Sequence, residues 1–373
     1  MSLTLLEGNE AVARGAVAAG CRFFAGYPIT PATTILNAML SLLPPMGGVC
    51  LQGEDEIASI GACLGASMAG LKVMTATSGP GISLYSEQIS FAVGSEIPIV
   101  IVDVQRLGPS TGSATRGADG DINFLRWGNS GGMPVIVLAP VNVADCFTLT
   151  IQAFNLAEKF RCPVFVASNK EIAMTRESVD LDALQIPEII NRAVPPEGTK
   201  FLPFQVQGDR AIPDFLPIGG KALVRQTSST HGANGYITTD HKEIAGIINR
   251  LKTKIHSAVD EFSFYETYTA KKSKTLIISY GVTSRAAKSL FNELENTKRP
   301  VSLLILKTLW PVPATVIRRA ARDFNRVVVV EMNLGQYIHE IERILPDKTI
   351  ELLAQMDGRL ITPHAIREKI FHG

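Results

Sequence analysis

Nearly continuous apolar runs alternate with helix-like segments through the first part of the chain. The runs predict strands, and the longer segments between them predict helices. The strands are predicted at 22–27, 49–52, 71–77, 97–104, 134–138 and 163–167. The helices are predicted at 8–20, 31–43, 56–70, 83–93 and 143–160. Repeated strand–helix order, with strands that are apolar on both faces, predicts an α/β fold: a doubly wound parallel sheet covered by helices on both sides.

The pattern changes between about Thr175 and Tyr268, where proline, glycine and polar residues become frequent. We expect a long irregular connection with one helix at 242–260, and a connection of this length usually carries function or packs against a partner. A second α/β unit follows, with strands predicted at 275–280, 301–306 and 326–331 and helices at 284–294, 314–323 and 363–371. The predicted organisation is therefore a first domain at 1–175, a connection at 176–268 and a second domain at 269–373.

Composition narrows the class of protein. The 373 residues allow two domains, and 46% hydrophobic with 19% charged residues is typical of a globular chain. The formal net charge of +1 gives no support for a nucleic-acid surface. No apolar run approaches the ~20 residues of a membrane span and no signal peptide is visible, so we expect a cytoplasmic protein without membrane contact.

The cysteines argue against metal chemistry in this chain. Cys21, Cys50, Cys63, Cys146 and Cys162 lie far apart, and no two have the CxxC spacing. We therefore expect neither a zinc site nor an iron–sulfur cluster built by this chain alone. Their odd number and wide scatter also favour buried free thiols over a disulfide framework.

Two further groups of polar residues have ordinary structural explanations. His231, Asp240, His241 and Glu243 match no standard metal spacing, which favours structural roles. The segment 281–284 opens a predicted helix and is suited either to an anion or to an ordinary helix start, which uses the same residue types.

The chemistry is expected in loops that follow strands, because ligands of open α/β sheets bind at the carboxyl ends of the strands. The first loop contains Tyr27-Pro28-Ile29-Thr30-Pro31. Its Thr30 hydroxyl is predicted at the start of a helix, where it either caps the helix or faces an anionic ligand.

The second loop contains the acids Glu54-Asp55-Glu56 in front of a predicted helix. The helix dipole alone favours acids there. However, the small residues Gly61, Gly65 and Ala69 recur every fourth position and give the helix one smooth face. Because each glycine costs about 1 kcal/mol against alanine, their use suggests close packing, and a carboxylate at the head of such a helix fits a buried subunit contact.

Two more loops complete the predicted edge. Thr77-Ser78-Gly79-Pro80-Gly81 is a tight turn that brings backbone close to a flat ligand, and it lacks the Gly-Lys-Ser/Thr ending of a P-loop. Arg106 follows the next strand, where it is suited to bind a carboxylate or to remain a solvated surface residue. Together the four loops are predicted to place an acidic residue and a basic residue, Arg106, at one edge of the sheet.

These segments, in this order, resemble the alpha subunit of the 2-oxoacid:ferredoxin oxidoreductases. The resemblance rests on YPITP, QGEDEIASIGACLGASMAG, TSGPGISL and VQRLGPSTG, and with KTLIISYGVTSRAAKSL and VVVVEMNLGQ it covers nearly the whole chain. YPITP is specific, whereas other thiamine enzymes use a turn similar to TSGPG. The resemblance implies a pyrimidine-binding thiamine diphosphate domain followed by a transketolase C-terminal-like domain.

The resemblance also assigns roles to residues. The cofactor-activating glutamate falls on Glu56, with Glu54 as its rival, and Glu56 would hydrogen-bond N1′ of the aminopyrimidine and so promote loss of the thiazolium C2 proton. Thr30 and Arg106 are implied to face the substrate, Arg106 by binding its carboxylate, and Thr115 matches a second substrate-side position. Further cofactor contacts are implied for Pro28, Ile29, Gly79 and Pro80.

The implied reaction is oxidative decarboxylation of a 2-oxoacid with coenzyme A, with electrons passed to ferredoxin. Thiamine enzymes hold magnesium and diphosphate with Gly-Asp-Gly and a later asparagine, and Asp119-Gly120-Asp121 has the wrong outer residues. Magnesium, the diphosphate site and a [4Fe-4S] cluster are therefore implied to lie on a beta subunit, with gamma and ferredoxin-like delta subunits as further partners. We expect this chain to hold no metal, to share thiamine diphosphate at an interface and to be inactive alone.

The substrate is the least specified feature. The segment 108–112 followed by Thr115-Arg116 resembles the 2-oxoglutarate members, and Arg116 is a candidate partner for a distal carboxylate. The stretch 116–121 departs from that subgroup, which leaves pyruvate and branched-chain 2-oxoacids open. An acetolactate-synthase-like enzyme would need the diphosphate half in the same chain, and a non-catalytic subunit would not need Glu56, Thr30 and Arg106 together.

Overall fold

A seven-stranded sheet lies at the centre of the first domain in the computed structural model, which describes residues 3–206 and 211–372. Its strands are β2 (Cys21–Gly26), β3 (Val49–Gln52), β4 (Lys72–Thr77), β5 (Ile99–Gln105), β6 (Ile136–Leu138), β7 (Pro163–Asn169) and β12 (Thr308–Trp310). They lie in the order β12-β6-β7-β5-β4-β2-β3, and every neighbouring pair is parallel except β12 with β6. The predicted parallel sheet is confirmed.

Helices cover both faces of this sheet, and its central strands β4, β5 and β7 are buried along their whole length. The helices are α1 (Gly8–Ala18), α2 (Thr33–Leu42), α3 (Glu56–Met68), α4 (Gly79–Leu84), α5 (Ser86–Gly94), α6 (Ile122–Trp127), α7 (Val143–Phe160) and α8 (Lys170–Ala173). Alternate residues of β5 point to opposite sides. Val100 and Val102 pack into one core cluster with residues of α1, α2 and α7, and Ile99 and Ile101 pack into a second cluster with residues of α3 and α5.

The second domain is built on a five-stranded sheet. Its strands are β9 (Tyr265–Tyr268), β10 (Thr275–Tyr280), β11 (Ser302–Leu306), β13 (Arg326–Glu331) and β14 (Thr349–Ala354), in the order β14-β13-β10-β11-β9. All pairs are parallel except β9 with β11. The helices are α10 (Thr283–Leu294), α11 (Ala314–Ala321), α12 (Ile338–Ile344) and α13 (Pro363–His372). A second α/β unit was predicted from the sequence, and the structure confirms it.

One strand of the second half of the chain belongs to the sheet of the first domain. Strand β12 leaves the second domain and pairs with β6 at the edge of the first sheet. The terminal strand β1 (Leu3–Glu7) pairs with β8 (Arg176–Asp180) in a two-stranded antiparallel sheet. The domain bounds at 175/176 and 268/269 stay a prediction, and the structure adds that β8 and β9, which lie inside the predicted connection, each pair with a strand outside it.

The connection is fastened to the first domain by buried ion pairs. Helix α9 (His241–His256) carries Arg250 and Lys254, and both bind the carboxylate of Glu96, at 2.6 and 2.8 Å. Arg161, at the C-terminal end of α7, is 1% exposed and donates hydrogen bonds to the carbonyl oxygens of Glu96, Pro203, Pro213 and Asp214. The buried Arg161 side chain therefore donates hydrogen bonds to carbonyl groups of the irregular connection.

Local differences from the predicted elements have local causes. Helix α2 begins at Thr33 with Ala32 at the N-cap, so the reading of Thr30 as a helix cap is wrong. The preceding residues form a turn, closed by the Thr33 N–H bond to Ile29 O at 3.0 Å, and Thr30–Pro31 is a cis peptide. The predicted tight turn at 77–81 is also the first turn of α4. Within the described residues, no helix has the length and apolar character needed to cross a membrane.

Candidate active site at the sheet edge

The four predicted loops meet at one edge of the seven-stranded sheet. Strands β5, β4, β2 and β3 are adjacent and parallel, so their carboxyl ends lie side by side. Arg106 follows β5, the Ser78–Gly81 turn follows β4, the Tyr27–Pro31 loop follows β2, and Glu56 follows β3. This edge is where an open α/β sheet binds ligands.

Glu56 differs from its two acidic neighbours in burial. Glu54 and Asp55 are exposed, and the Asp55 side chain caps α3 by accepting a hydrogen bond from Ala58 N at 2.7 Å. Glu56 is 7% exposed, and within the described part of the chain its carboxylate has no hydrogen-bond partner. A largely buried glutamate whose carboxylate makes no intramolecular hydrogen bond is free to bind a ligand.

Glycine at position 81 makes room for the Glu56 side chain. A β-carbon on Gly81 would lie 2.8 Å from Glu56 Oε1 and 2.0 Å from Thr77 Oγ1. Any larger residue at position 81 would therefore displace the carboxylate or the hydroxyl. The Ser78–Gly81 turn approaches Glu56 closely because it has no side chain at this point.

Arg106 and Thr30 are brought into direct contact. The Arg106 guanidinium donates a hydrogen bond from Nη1 to Thr30 O at 2.6 Å, and Arg106 is 6% exposed although the Thr30 side chain faces solvent. Burial lowers the pKa of Arg106, and the nearby Asp121 carboxylate opposes that shift. The Arg106 Nε group has no partner among the described residues, so donor capacity remains for a ligand. Arg106 is buried, and the alternative of a solvated surface arginine is wrong.

The remaining predicted site residues lie around this contact. Ile29 is half-buried and packs against the core, whereas Pro28, Gly79 and Pro80 are each partly exposed. Thr115 and Arg116 are exposed and belong to a closed loop. The loop is closed by backbone hydrogen bonds from Leu107 N to Arg116 O and from Ser113 N to Leu107 O, both 2.8 Å long.

A cluster of three aspartates, two of them buried, was not predicted as a group from the sequence. Asp103 and Asp119 are 0% and 2% exposed, and Asp121 lies beside them. Burial raises the pKa of Asp119 to about 7, and Glu331 adds to the shift. Burial, together with the neighbouring Asp121 carboxyl, raises the pKa of Asp103 well above its usual range. One signal for Asp103 was available, since it is the only charged residue in the strand Ile99–Gln105.

The second domain holds the segment that carries these aspartates. Asn333 Nδ2 donates a hydrogen bond to Asp119 O at 2.9 Å, and Asp119 N donates one to Met332 O at 2.8 Å. Gln336 binds the same segment twice, since its Nε2 donates to Gly120 O at 2.6 Å and its Oε1 accepts from Asn123 N at 3.0 Å. The loop after β13 therefore fixes one wall of the candidate site.

The other polar groups noted in the sequence have structural roles. His231 contacts the carbonyl of Ser229 through Nδ1 and lies against the Phe204 ring, and the Asp240 side chain caps α9. Residues 3–206 and 211–372 contain no group of three His, Cys, Asp or Glu side chains suited to hold a metal ion. Gly281 has a positive φ of 57° and precedes α10, which begins at Thr283.

The face of α3 beside Glu56 is bare in this chain. A β-carbon added to Gly61 or Gly65 would have no atom within 4 Å. Close packing on these glycines was predicted, and nothing in the described residues provides it. The neighbouring edge strand β3 exposes apolar side chains, with Val49 and Leu51 at 45% and 44%, and Ile57 of α3 is 47% exposed. Apolar residues next to an unpaired strand edge are typical of an interaction surface.

Two family models match the chain. The model described as pyruvate flavodoxin/ferredoxin oxidoreductase, thiamine diphosphate-binding, matches residues 14–249. The model described as pyruvate:ferredoxin oxidoreductase core domain II matches residues 273–366. The matched ranges include the sheet-edge loops and the second domain, respectively.

Similar proteins align over almost the whole chain. The 2-oxoglutarate synthase subunit KorA of Methanocaldococcus jannaschii is 40% identical, with 99% of this chain and 100% of that protein aligned. The corresponding subunit of Methanothermobacter thermautotrophicus is 39% identical, with 98% and 97% aligned. The ketoisovalerate oxidoreductase subunit VorB of the latter organism is 33% identical, with 99% and 97% aligned.

Solved structures agree with the fold. The 2-oxoglutarate:ferredoxin oxidoreductase from Magnetococcus marinus, with 2-oxoglutarate, coenzyme A and succinyl-CoA bound, superposes with a TM-score of 0.92 at 32% identity. The alignment covers 99% of this chain and 64% of that chain, so this chain spans about two thirds of its length. A split-gene transketolase, an inactive beta4 tetramer, superposes with a TM-score of 0.53 at 10% identity and shows likeness of fold alone.

Proposed function

This chain belongs to the pyruvate flavodoxin/ferredoxin oxidoreductase family, and from that premise we propose that it is the alpha subunit of a 2-oxoglutarate:ferredoxin oxidoreductase. The assembled enzyme would oxidatively decarboxylate 2-oxoglutarate, transfer the acyl group to coenzyme A and reduce ferredoxin. The observation that carries the proposal is the buried, unpartnered Glu56 beside the Gly81 turn, at the same sheet edge as the buried Arg106.

The residues at this edge fit the pyrimidine half of thiamine diphosphate. Glu56 offers a buried carboxylate, and Gly81 keeps the space beside it free of side-chain atoms. Ile29, Pro28 and Pro80 are half-buried and supply apolar contacts to the cofactor. When bound, thiamine diphosphate supplies a carbon nucleophile that attacks the 2-oxo carbon and takes up the electrons left by decarboxylation.

Each residue then has a defined task. Glu56 hydrogen-bonds N1′ of the aminopyrimidine and serves as the general acid–base group of cofactor activation. Arg106 binds the substrate 1-carboxylate with the donors that Thr30 O does not occupy. Thr30 and Thr115, both exposed, supply hydroxyl groups to the substrate. Arg116, on the loop that follows β5, binds the distal carboxylate of 2-oxoglutarate.

The remaining cofactors belong to partner subunits. The described residues contain neither a metal-ligand cluster nor any CxxC pair, so we assign magnesium, the diphosphate site and a [4Fe-4S] cluster to a beta subunit. The bare glycine face of α3 and the apolar β3 edge are where that subunit docks, next to Glu56. Gamma and ferredoxin-like delta subunits would complete the electron path. Buried free thiols suit a reducing cytoplasm.

The proposal is tested by reconstitution. The purified chain, the beta subunit and the mixture are each assayed for coenzyme A-dependent reduction of ferredoxin, with and without thiamine diphosphate. Only the mixture with the cofactor is expected to turn over, and 2-oxoglutarate is expected to be preferred over pyruvate and 2-oxoisovalerate. Turnover by this chain alone, or a preference for 2-oxoisovalerate, would contradict the assignment.

A further inference from the structure

The carboxyl edge of the second sheet faces the loop that carries Arg116. Strands β10, β13 and β14 are parallel neighbours, so the loops that follow them lie side by side. The first loop contains Gly281, where a β-carbon would lie 3.3 Å from Asp119 Oδ2. The second contains Asn333, which binds Asp119 O, and the third contains Gly358. Such an edge is the usual ligand site of an open α/β sheet, and here it contacts residues of the first domain.

Gly358 lies directly against the Arg116 side chain. Gly358 is buried, although Asp357 and Arg359 on either side of it are exposed. A β-carbon at position 358 would lie 2.9, 3.1 and 3.4 Å from the Cβ, Cγ and Cδ atoms of Arg116. The aliphatic part of Arg116 therefore occupies space that a side chain at position 358 would take. Gly358 also has a φ of 78°, which glycine adopts without strain.

Hydrogen bonds within the turn 355–359 fix the backbone at Gly358. Asp357 Oδ1 accepts hydrogen bonds from Gln355 Nε2 and from Arg359 N, both 3.0 Å long. Gln355 Nε2 also donates to Arg359 O at 3.0 Å, and Arg359 Nε donates to Asp357 Oδ2 at 2.7 Å. The turn is therefore held in shape by its own residues, independently of the loop that it contacts.

The backbone of Arg116 is anchored beside the candidate site. Its carbonyl oxygen accepts a hydrogen bond from Leu107 N at 2.8 Å, and Leu107 directly follows Arg106. Within the described residues the Arg116 guanidinium has no hydrogen-bond or ion-pair partner. The direction of this side chain therefore depends on how its aliphatic part packs, and Gly358 provides one surface of that packing.

We propose that Gly358 is a positioning residue for substrate specificity, which gives Arg116 the space to extend toward the distal carboxylate of the 2-oxoacid. The inference rests on the proposed function, because it takes the substrate to be a 2-oxodicarboxylate and Arg116 to bind its second carboxylate. A side chain at position 358 would push the stem of Arg116 aside and move the guanidinium away from that carboxylate. A substrate without a distal carboxylate would be bound as before.

The experiment measures KM and kcat of the assembled complex for 2-oxoglutarate and for pyruvate in Gly358→Ala, Arg116→Gln and the double variant. In Gly358→Ala, KM for 2-oxoglutarate is expected to rise about tenfold, the equivalent of one charge-assisted hydrogen bond, with kcat nearly unchanged. The values for pyruvate are expected to stay the same. In the double variant, Gly358→Ala should add nothing to the effect of Arg116→Gln, because it acts through the same side chain.

Gly198→Ala is the matched control for backbone strain. Gly198 has a φ of 77°, and a β-carbon there would have no atom within 4 Å. Alanine at this position meets the same strain without displacing a side chain, so both KM values are expected to match those of the unmodified complex. If Gly358→Ala fails to assemble, Asp357→Ala decides. It removes bonds that hold the turn without adding atoms beside Arg116, and it is expected to raise KM for 2-oxoglutarate alone.

Three outcomes would overturn the inference. One is an unchanged KM for 2-oxoglutarate in Gly358→Ala, or in Asp357→Ala where that variant decides. Another is an equal change with both substrates, which a merely structural role predicts. The third is a rise in KM that Gly358→Ala still produces when Arg116 is already glutamine. Failure of the proposed function is distinguishable, because the unmodified complex would then show no thiamine-dependent turnover of 2-oxoglutarate.

Discussion

Two arginines at the sheet edge differ in their surroundings and should differ in what they recognise. Arg106 is buried and bound to Thr30 O, whereas Arg116 is exposed and packs its aliphatic part against Gly358. A fixed guanidinium suits the carboxylate common to all 2-oxoacids. An exposed guanidinium on a loop suits the distal group that distinguishes 2-oxoglutarate from pyruvate.

Arg106 and Arg116 give a prediction for substrate specificity. Loss of a charge-assisted hydrogen bond costs about 1.5–3 kcal/mol, which is roughly ten- to hundredfold in kcat/KM. Arg116→Gln is expected to lower kcat/KM by this factor for 2-oxoglutarate and to leave pyruvate unchanged, whereas Arg106→Gln should lower it for both. Steady-state kinetics of the assembled complex on the two substrates provide the measurement, and an equal effect of Arg116→Gln on both would refute the assignment.

At this scale the sequence identified the residues that sit in loops, and it missed those that depend on tertiary contacts. The resemblance implied Glu56 as the cofactor glutamate and left Glu54 as its rival, and of the two only Glu56 is buried. Their roles stay predictions. The position of Asp121 could not be predicted from the sequence. It depends on Gln336 and Asn333, which lie far along the chain and bind the loop that contains Asp121.

At the scale of elements, α3 combines an unfavourable composition with an unfilled face. Gly61 and Gly65 lie inside the helix, where each costs about 1 kcal/mol relative to alanine. A β-carbon at either position would meet no atom within 4 Å in the described part of this chain. In the isolated chain these glycines lower the stability of the helix, and no contact offsets this loss. Their benefit is expected in the complex, where a partner backbone would approach the smooth face.

The Gly61→Ala substitution tests helix stability and subunit assembly separately. In the isolated chain it is expected to raise the free energy of unfolding by up to about 1 kcal/mol, because alanine favours the helix and the new methyl group meets open space. In the mixture with the beta subunit it is expected to weaken assembly, because the methyl group intrudes at the interface. Chemical denaturation and analytical ultracentrifugation measure the two quantities. Gly246→Ala in α9, also open in this chain and away from the site, is the control.

The ion cluster that fastens α9 gives a prediction for stability. Lys254 and Arg250 hold the pKa of the fully buried Glu96 at about 2 despite the opposing effect of burial. A lowered pKa stabilises the fold above the pKa of the unfolded chain, and this contribution is lost as pH falls from about 4.5 to about 2. Glu96→Gln is expected to cost about 3–5 kcal/mol at neutral pH, because it leaves buried cations without their partner.

Urea unfolding at pH 7 and at decreasing pH measures this effect. The difference in stability between the unmodified chain and the Glu96→Gln variant should shrink as the medium becomes acidic. Glu261→Gln, which removes the exposed ion pair with Lys159, is the matched control and is expected to change stability by less than about 1 kcal/mol. A Glu96→Gln variant as stable as the unmodified chain would show that the cluster does not hold α9 in place.

Central strands were predictable from the sequence, whereas most edge strands were not, with β3 (Val49–Gln52) as an exception. The runs that became β5, β7, β10 and β13 are largely apolar on both faces, which makes them visible without knowledge of the fold. Strands β1, β8, β9 and β14 are only partly buried, and the three-residue β12 is too short to give a pattern. They exist because a neighbouring strand edge is available, which is a property of the assembled fold.

At the scale of the whole molecule, the two domains form one support for the candidate site. The loop after β13 binds the segment 119–123, and Trp310 of β12 donates a hydrogen bond from Nε1 to Ile122 O at 3.0 Å. The exchange of β12 between the domains fixes their relative position near the sheet edge. The second domain therefore contributes to the site by holding a wall of it, although no residue of it was predicted to bind substrate or cofactor.

The same edge is open on the side of α3 and β3, which fits the proposal that the chain supplies half of an active site. Its half contains a carboxylate, an arginine and close backbone turns, and the described residues contain no metal-ligand cluster. An active complex would follow from assembly of this half with a partner that supplies the other. In that arrangement, everything the chain contributes to cofactor activation depends on one carboxylate.

The most direct test of this account is the activity of Glu56→Gln in the assembled complex, with Glu54→Gln as the matched control from the same loop. Rates of thiamine-dependent ferredoxin reduction with 2-oxoglutarate are measured after assembly with the beta subunit has been verified. Glu56→Gln is expected to lower kcat by at least about 100-fold, the usual effect of losing a general acid–base group, with assembly intact and Glu54→Gln nearly unaffected. A Glu56→Gln complex that turns over at the unmodified rate would contradict the account.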